Sequence, residues 1–247
     1  MSSPVPPTND PTPAIASEII PKSIPTDPFS QSLYKHVQAH LHPTILAHSL
    51  RVFVYAGALA KADLSPIPKL HPTTGPEIFF NIDELDSINP PLLFAACMFH
   101  DIGTCDSHDH DQRFEVCGAD AAVAYMASHG KSMSADQRAV WEAVALHTSP
   151  GIAERMSLLT RVVRMAVKAD FGSELYRSLL GDGLVETTEA LFPRGEVEKV
   201  LGDCVAVQAE RREGERRSVK APAVSWPWNL LRSRVENPGW EGVNKGF

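Results

Sequence analysis

One stretch limits the fold more than any other: Asn89-Pro90-Pro91, followed by Leu92-Leu93-Phe94-Ala95-Ala96-Cys97-Met98-Phe99-His100-Asp101. An asparagine followed by two prolines marks a helix start. Asparagine can cap, and the first turn does not need the N–H that proline lacks. The residues that follow are apolar on nearly every face. A helix of that kind has no side to offer water, so it belongs at the centre of a domain. Other helices must surround it, and it delivers a His-Asp pair to the middle of whatever forms.

The rest of the chain supplies those helices. Periodicity and breakers predict them over about Phe29–Leu41, Pro43–Ala62, Phe114–Ser128, Ser134–His147 and Ala153–Phe171. Further helices are expected near Glu196–Arg212 and Leu230–Val235. Ser134 with Gln137 has the form of a capping box. Pro66, Pro68, Pro72, Gly75 and Pro76 mark a loop over residues 63–80. Strands with period-two alternation are scarce, so the expected class is all-α: one helical bundle over residues 29–247. Eight of the 20 prolines fall in residues 1–28. That density excludes a helix there and predicts a disordered, proline-rich N-terminal arm.

Composition narrows the partners. Lys plus Arg total 23 against 30 Asp plus Glu, a net charge of −7, which speaks against nucleic acid. The basic cluster Arg211-Arg212 and Arg216-Arg217 is interleaved with Glu210, Glu213 and Glu215 and reads as a solvated helix face. No apolar run is long enough for a membrane span, and the N-terminus lacks the pattern of a signal peptide. Cys97, Cys105, Cys117 and Cys204 form no C-x-x-C pair, so a thiolate zinc site is not expected. A cytoplasmic, reducing location follows as the default. In the tail, Trp226, Trp228 and Trp240 are candidates to cover the core or pack an interface.

Four residues are good metal ligands in places where an ordinary reading is awkward. His48 lies on a core-facing stripe with Val52, Tyr55 and Leu59. His100-Asp101 ends the most apolar helix, and Asp170 continues the stripe Leu159, Val163, Ala166. A buried carboxylate is costly unless paired or bound to a cation. A single divalent ion would explain two aspartates and two histidines together, and such a set suits Zn²⁺, Fe²⁺ or Mn²⁺. Each residue alone also has an ordinary explanation: a hydrogen-bonded core histidine, a chance His-Asp pair.

In order and type, these elements resemble the HD superfamily of metal-dependent hydrolases. They are His48 in "AHSLRVF", His100-Asp101 in "MFHDIGT" and Asp170 in "VKADFGS". With "RFEVCGADAA" and "ALHTSPGIA" they are similar to the fungal cyanamide hydratase branch over roughly residues 43–175. The resemblance implies an all-α HD-domain bundle whose metal, zinc in that branch, is held by His48, His100, Asp101 and Asp170. It implies addition of water to the nitrile of cyanamide to give urea, and a homo-oligomer. It also places Arg113-Phe114-Glu115 near the pocket, with Phe114 as an apolar wall and Glu115 orienting a ligand histidine.

Two other readings stand beside this one: a phosphohydrolase or other small-molecule HD enzyme, and an inactive metal-binding regulatory protein. Ile102-Gly103-Thr104-Cys105-Asp106 offers no cation to a phosphate unless Arg51, Arg113 or Lys168 turns inward. A small neutral substrate, with water activated by the ion, fits that stretch better. Asp101 and His147 are the candidates for the chemistry, with His147 as proton shuttle, substrate contact or simple capping histidine. Thr104 and Phe171 are candidates for substrate contact, each with a structural alternative.

Overall fold

The computed structural model describes residues 23–62, 88–131 and 134–239. The expectations for residues 1–22, the loop over 63–80 and Trp240 lie outside those residues. What is described is all-helical, with no strand among the described residues. Helix α1 runs Pro28–His40, α2 Pro43–Leu59, α3 Pro90–Phe99, α4 Phe114–Ser128, α5 Ser134–Leu146 and α6 Leu158–Asp170. Then come the short α7 (Glu174–Arg177) and α8 (Leu184–Leu191), α9 (Val197–Glu210), α10 (Gly214–Lys220) and α11 (Trp226–Glu236).

Helix α3 is the centre, as its composition requires. Leu93 through Phe99 are all buried, and α1, α2, α4, α5 and α6 pack around them. The surrounding helices present periodic apolar faces. Phe29, Leu33 and Val37 of α1 are buried, as are Ile45, Val52, Tyr55 and Leu59 of α2. Local caps fix the starts. Asp27 accepts from the Ser30 amide at 3.0 Å, and His42 Nδ1 accepts from the Thr44 amide at 3.2 Å. Ile24 is buried, so the chain is already docked before α1 begins.

Several local expectations are corrected. Asn89 occupies the capping position of α3, but its side chain makes no capping bond. Helix α6 starts at Leu158 rather than Ala153. Residues Ala153–Arg155 form a single 3₁₀ turn, Met156 is extended, and Ser157 caps the true start. Helix α11 begins four residues earlier than expected, at Trp226, because Ser225 caps it and Pro227 suits its first turn. Helices α7, α8 and α10 are too short for periodicity to reveal.

The basic cluster is only partly a solvated face. Arg212 is 15 % exposed and meets Asp109 Oδ2 at 2.9 Å, while also donating to the main-chain oxygens of Asp109 and His110. Lys220, 2 % exposed, reaches Asp109 Oδ1 at 2.8 Å and the His110 carbonyl at 2.8 Å. Gln208 Nε2 donates to the Gly103 carbonyl at 2.9 Å. Helices α9 and α10 therefore clamp the polar loop that follows the His-Asp pair. Burial pushes the Asp109 carboxyl up, but Lys220 and Arg212 outweigh it and hold it below the ordinary range. With the folded value depressed, this contribution to stability is complete above the usual aspartate pKa of about 3.9 and fades as pH falls through the folded value. Asp109→Asn is expected to cost about 3 kcal/mol at pH 7, by leaving buried cations unpaired. Thermal melts should show its deficit against the parent protein shrinking below pH ~4.

The turn after the His-Asp pair needs a glycine for reasons of space. A Cβ on Gly103 would lie 2.0 Å from the Phe114 carbonyl oxygen and 2.9 Å from the Gly118 amide nitrogen. The backbones of the turn and of α4 touch there, with Gly118 on the facing side. Gly103→Ala is expected to destabilise the protein by ~3 kcal/mol, the upper range for overpacking a rigid contact. Denaturant unfolding checks this; a loss under about 1 kcal/mol would mean that the contact can relax.

Candidate metal centre

Three helices deliver the residues of the cluster. His48 lies within α2, His100 caps α3 and Asp101 follows it, and His147 sits just past α5. All four are 2 % exposed or less. His48 Nε2 and His100 Nε2 are 3.1 Å apart. Asp101 Oδ2 lies 3.4 Å from His48 Nε2 and 3.1 Å from His100 Nε2, and Asp101 Oδ1 lies 3.6 Å from His147 Nε2.

The far side of each ring sets its tautomer. His100 Nδ1 faces the Cys97 carbonyl at 2.7 Å, and His147 Nδ1 faces the Val144 carbonyl at 2.7 Å. A carbonyl can only accept, so each Nδ1 carries the proton and each Nε2 presents a lone pair. His48 Nδ1 faces Asp170 Oδ2 at 2.7 Å, with the same consequence. Three imidazole lone pairs and a carboxylate thus converge with no donor among them. Among the described residues no N–H or O–H is aimed with hydrogen-bond geometry at either oxygen of Asp101, although both are buried. Such a cluster calls for a cation.

Its electrostatics say the same. Burial raises the cost of charge on Asp101, yet the histidines beside it hold its carboxyl well below the usual range. Burial opposes a proton on His100, but the Asp101 charge outweighs it and moves His100 upward. For His48 burial wins over the pull of Asp170, and its pKa falls, which favours the neutral, ligating form. The positive charge that Asp101 demands can be a proton on His100 or a metal ion. His48, His100 and Asp101 are the described group whose ligand atoms fit one coordination sphere, and imidazole with carboxylate suits a divalent transition ion.

The fourth expected ligand stands apart from that cluster. Asp170 is on the opposite edge of the His48 ring. Arg51 holds it in a fork, Nε to Oδ1 at 2.7 Å and Nη2 to Oδ2 at 2.8 Å, and Arg194 pairs with it from the other side. In this arrangement Asp170 orients His48 and is itself neutralised by Arg51. The sequence held a signal for this: Arg51 falls one turn after His48 on a buried helix, and a buried guanidinium needs a carboxylate.

The remaining candidates separate into two groups. Phe171 lies edge-on to the His48 ring with centroids 5.1 Å apart, and it lines a crevice over the cluster together with His147. Thr104, Phe114 and Glu115 do not line it. The Thr104 hydroxyl donates to the Asp101 carbonyl at 2.7 Å and so stiffens the turn. Phe114 backs the His147 ring at 5.6 Å. Glu115 takes two bonds from Arg113 and one, at 2.5 Å, from Thr148, which does line the crevice. The crevice is too narrow as packed to admit even a water molecule, and its other walls are Val167, Leu201 and Trp226. Sequence reading missed Leu201 and Trp226 as site residues, because nothing local ties them to the His-Asp pair.

No helix among the described residues is long and apolar enough to cross a membrane. No curated protein matches the chain. A model of the HD domain family matches residues 45–170, just over half of the 247 residues, and this span carries His48, His100-Asp101, His147 and Asp170. HD domains bind divalent metals and are metal-dependent enzymes of hydrolase type, and the converging donors form a group that can hold such an ion. By the span of that match and by the donors it contains, the chain belongs to the HD domain family.

Proposed function

We propose that this HD protein is a metal-dependent hydratase, a lyase adding water to the nitrile of cyanamide or of a similarly small nitrile. One observation carries the reading: the crevice above the cluster is narrow and largely apolar, and no Lys or Arg among the described residues lines it. Arg51 and Arg113 are committed to Asp170 and Glu115, and Lys168 does not line the crevice. A phosphoryl group needs cations around it as well as a metal. A small uncharged molecule does not.

His48, His100 and Asp101 hold the ion in this scheme, with zinc favoured and Fe²⁺ or Mn²⁺ compatible with the same donors. When bound, a divalent ion supplies Lewis acidity: it brings the pKa of a water to about 7 and polarises a nitrile. Asp170 and the Cys97 carbonyl keep the two imidazoles in the ligating tautomer. Phe171, Val167, Leu201 and Trp226 exclude bulk water. His147 faces the crevice with a free lone pair on Nε2 and works as the proton shuttle. The oxygen of water bonds to the nitrile carbon while a π pair moves to nitrogen. His147 Nε2 takes the water's proton and returns it to that nitrogen. A further proton shift from oxygen to nitrogen turns the isourea into urea.

Purified protein reconstituted with zinc is expected to release urea from cyanamide and to leave phosphate monoesters and diesters intact. Phosphate release without urea would overturn the reading in favour of a phosphohydrolase. His147→Gln is expected to lower kcat by about 10²–10⁴, the range for loss of a general acid–base, with unchanged metal content. Metal analysis beside steady-state kinetics checks both halves; a drop in metal content would make His147 a ligand instead.

A further inference from the structure

We propose that Trp226 is the specificity-determining residue of the site: a roof, hinged at the turn before it, that sets the size of molecule reaching the metal centre. This deepens the hydratase reading and rests on it for the identity of the substrate, but not for the existence of the roof.

The family match ends at residue 170. The ligands and His147 come from inside that span, whereas Phe171, Leu201 and Trp226 come from beyond it. The donors are therefore supplied by the shared part of the fold, and most of the apolar enclosure by what this chain adds. His48, Asp101 and His147 are 0 %, 1 % and 2 % exposed, so no molecule reaches them unless a wall moves. Val167 lies within α6, Phe171 closes that helix and Leu201 lies within α9. Trp226 also belongs to the core, but it alone of these walls stands at a helix start two residues after an exposed turn position. It is the first residue of α11, 8 % exposed, and its ring meets Phe114 edge-on at 5.7 Å, with Phe114 in turn against His147.

The chain just before it is built to give way. The Ser225 amide closes a turn onto the Pro222 carbonyl at 3.0 Å. Val224, at the third position of that turn, has φ +60° and is 87 % exposed. A β-branched residue in the left-handed region is strained, and a position of that kind ordinarily carries glycine. Val224 is exposed, so no burial among the described residues repays the strain. Opening the turn releases it, so the closed roof is held by the contacts of Trp226 and of Pro227 and Leu230 behind it in α11.

The test is carbethoxylation of the metal-free protein by diethyl pyrocarbonate, a neutral reagent larger than cyanamide, read residue by residue by mass spectrometry. Exposed His42 serves as internal reference, and His147, whose Nε2 is free to react, as reporter. Labelling of a buried group follows the population of the open form, so Trp226→Ala is expected to speed His147 labelling about tenfold or more relative to His42. Trp226→Phe should stay near the parent rate. Val224→Gly touches no core residue and relieves the strain, so it is expected to slow His147 labelling about fivefold. Loss of fold in Trp226→Ala would instead label His48, His100 and His147 alike, and Val224→Gly then decides alone. Unchanged labelling in Trp226→Ala, or faster or unchanged labelling in Val224→Gly, overturns the roof. In the zinc-loaded protein, Trp226→Ala should shift selectivity toward benzonitrile over cyanamide by about tenfold or more. Absence of urea formation alongside the expected labelling sinks the hydratase and supports the roof. Urea formation with unchanged labelling does the reverse.

Discussion

Asp101→Ala protein is expected to come through purification with at most about one-tenth of the parent's metal and with no measurable turnover. Removing a residue that merely orients a ligand typically costs ~10–100-fold in metal affinity, and removing a charged ligand should cost more. Asp101 is the only carboxylate in the group whose donors share one sphere. Without it, His48 Nε2 and His100 Nε2 still face each other at 3.1 Å, but two neutral imidazoles do not balance a divalent charge. The variant should stay folded, with a Tm below that of the metal-loaded parent and close to that of the metal-stripped parent, because the stabilisation it loses is chiefly that of the bound ion. Loss of metal with a Tm matching the metal-stripped parent is thus the signature of a ligand. Elemental analysis with thermal unfolding checks it, and a full complement of metal in Asp101→Ala would refute the proposed centre.

The second large effect concerns stability. Arg51→Met is expected to cost about 3–5 kcal/mol, the usual consequence of stripping a buried charge of its partner. Arg51 is fully buried, and its guanidinium also donates to the carbonyls of Phe192 and Pro193 at 2.9 and 3.0 Å. It therefore ties α2 to the end of α6 and to the chain after α8. Methionine keeps much of the stem's volume but leaves both carbonyls and Asp170 short of donors. Asp170 would retain His48 Nδ1 and Arg194 as partners, which should draw the imidazole out of line and weaken metal binding as well. The double variant Arg51→Met with Asp170→Asn should recover part of the stability, because the unpaired charge is gone. Denaturant unfolding measures both. A cost below about 1 kcal/mol for the single variant would show that Arg194 alone can neutralise Asp170.

Much of this molecule was legible before any coordinates. The apolar run Leu92–Phe99 required a central helix, and α3 is buried along that run with five helices around it. The stripe through Val52, Tyr55 and Leu59 turned His48 inward, and His100-Asp101 had to emerge at the end of the central helix. These results follow from local physics, since a helix's period fixes which residues share a face and burial fixes which face turns in. Other features had no local signature. That Asp170 meets Arg51 and His48 depends on contacts 119 and 122 residues apart. The grip of Lys220 and Arg212 on Asp109 spans more than a hundred residues, and so the basic cluster looked like an ordinary solvated face. The roof of Leu201 and Trp226 lies beyond the matched domain altogether. Periodicity states that a side chain is buried, never against what. Which charges pair and which ring covers the site is settled only when distant helices pack, because the energy of those contacts resides in the pairing of partners and not in either residue's own segment.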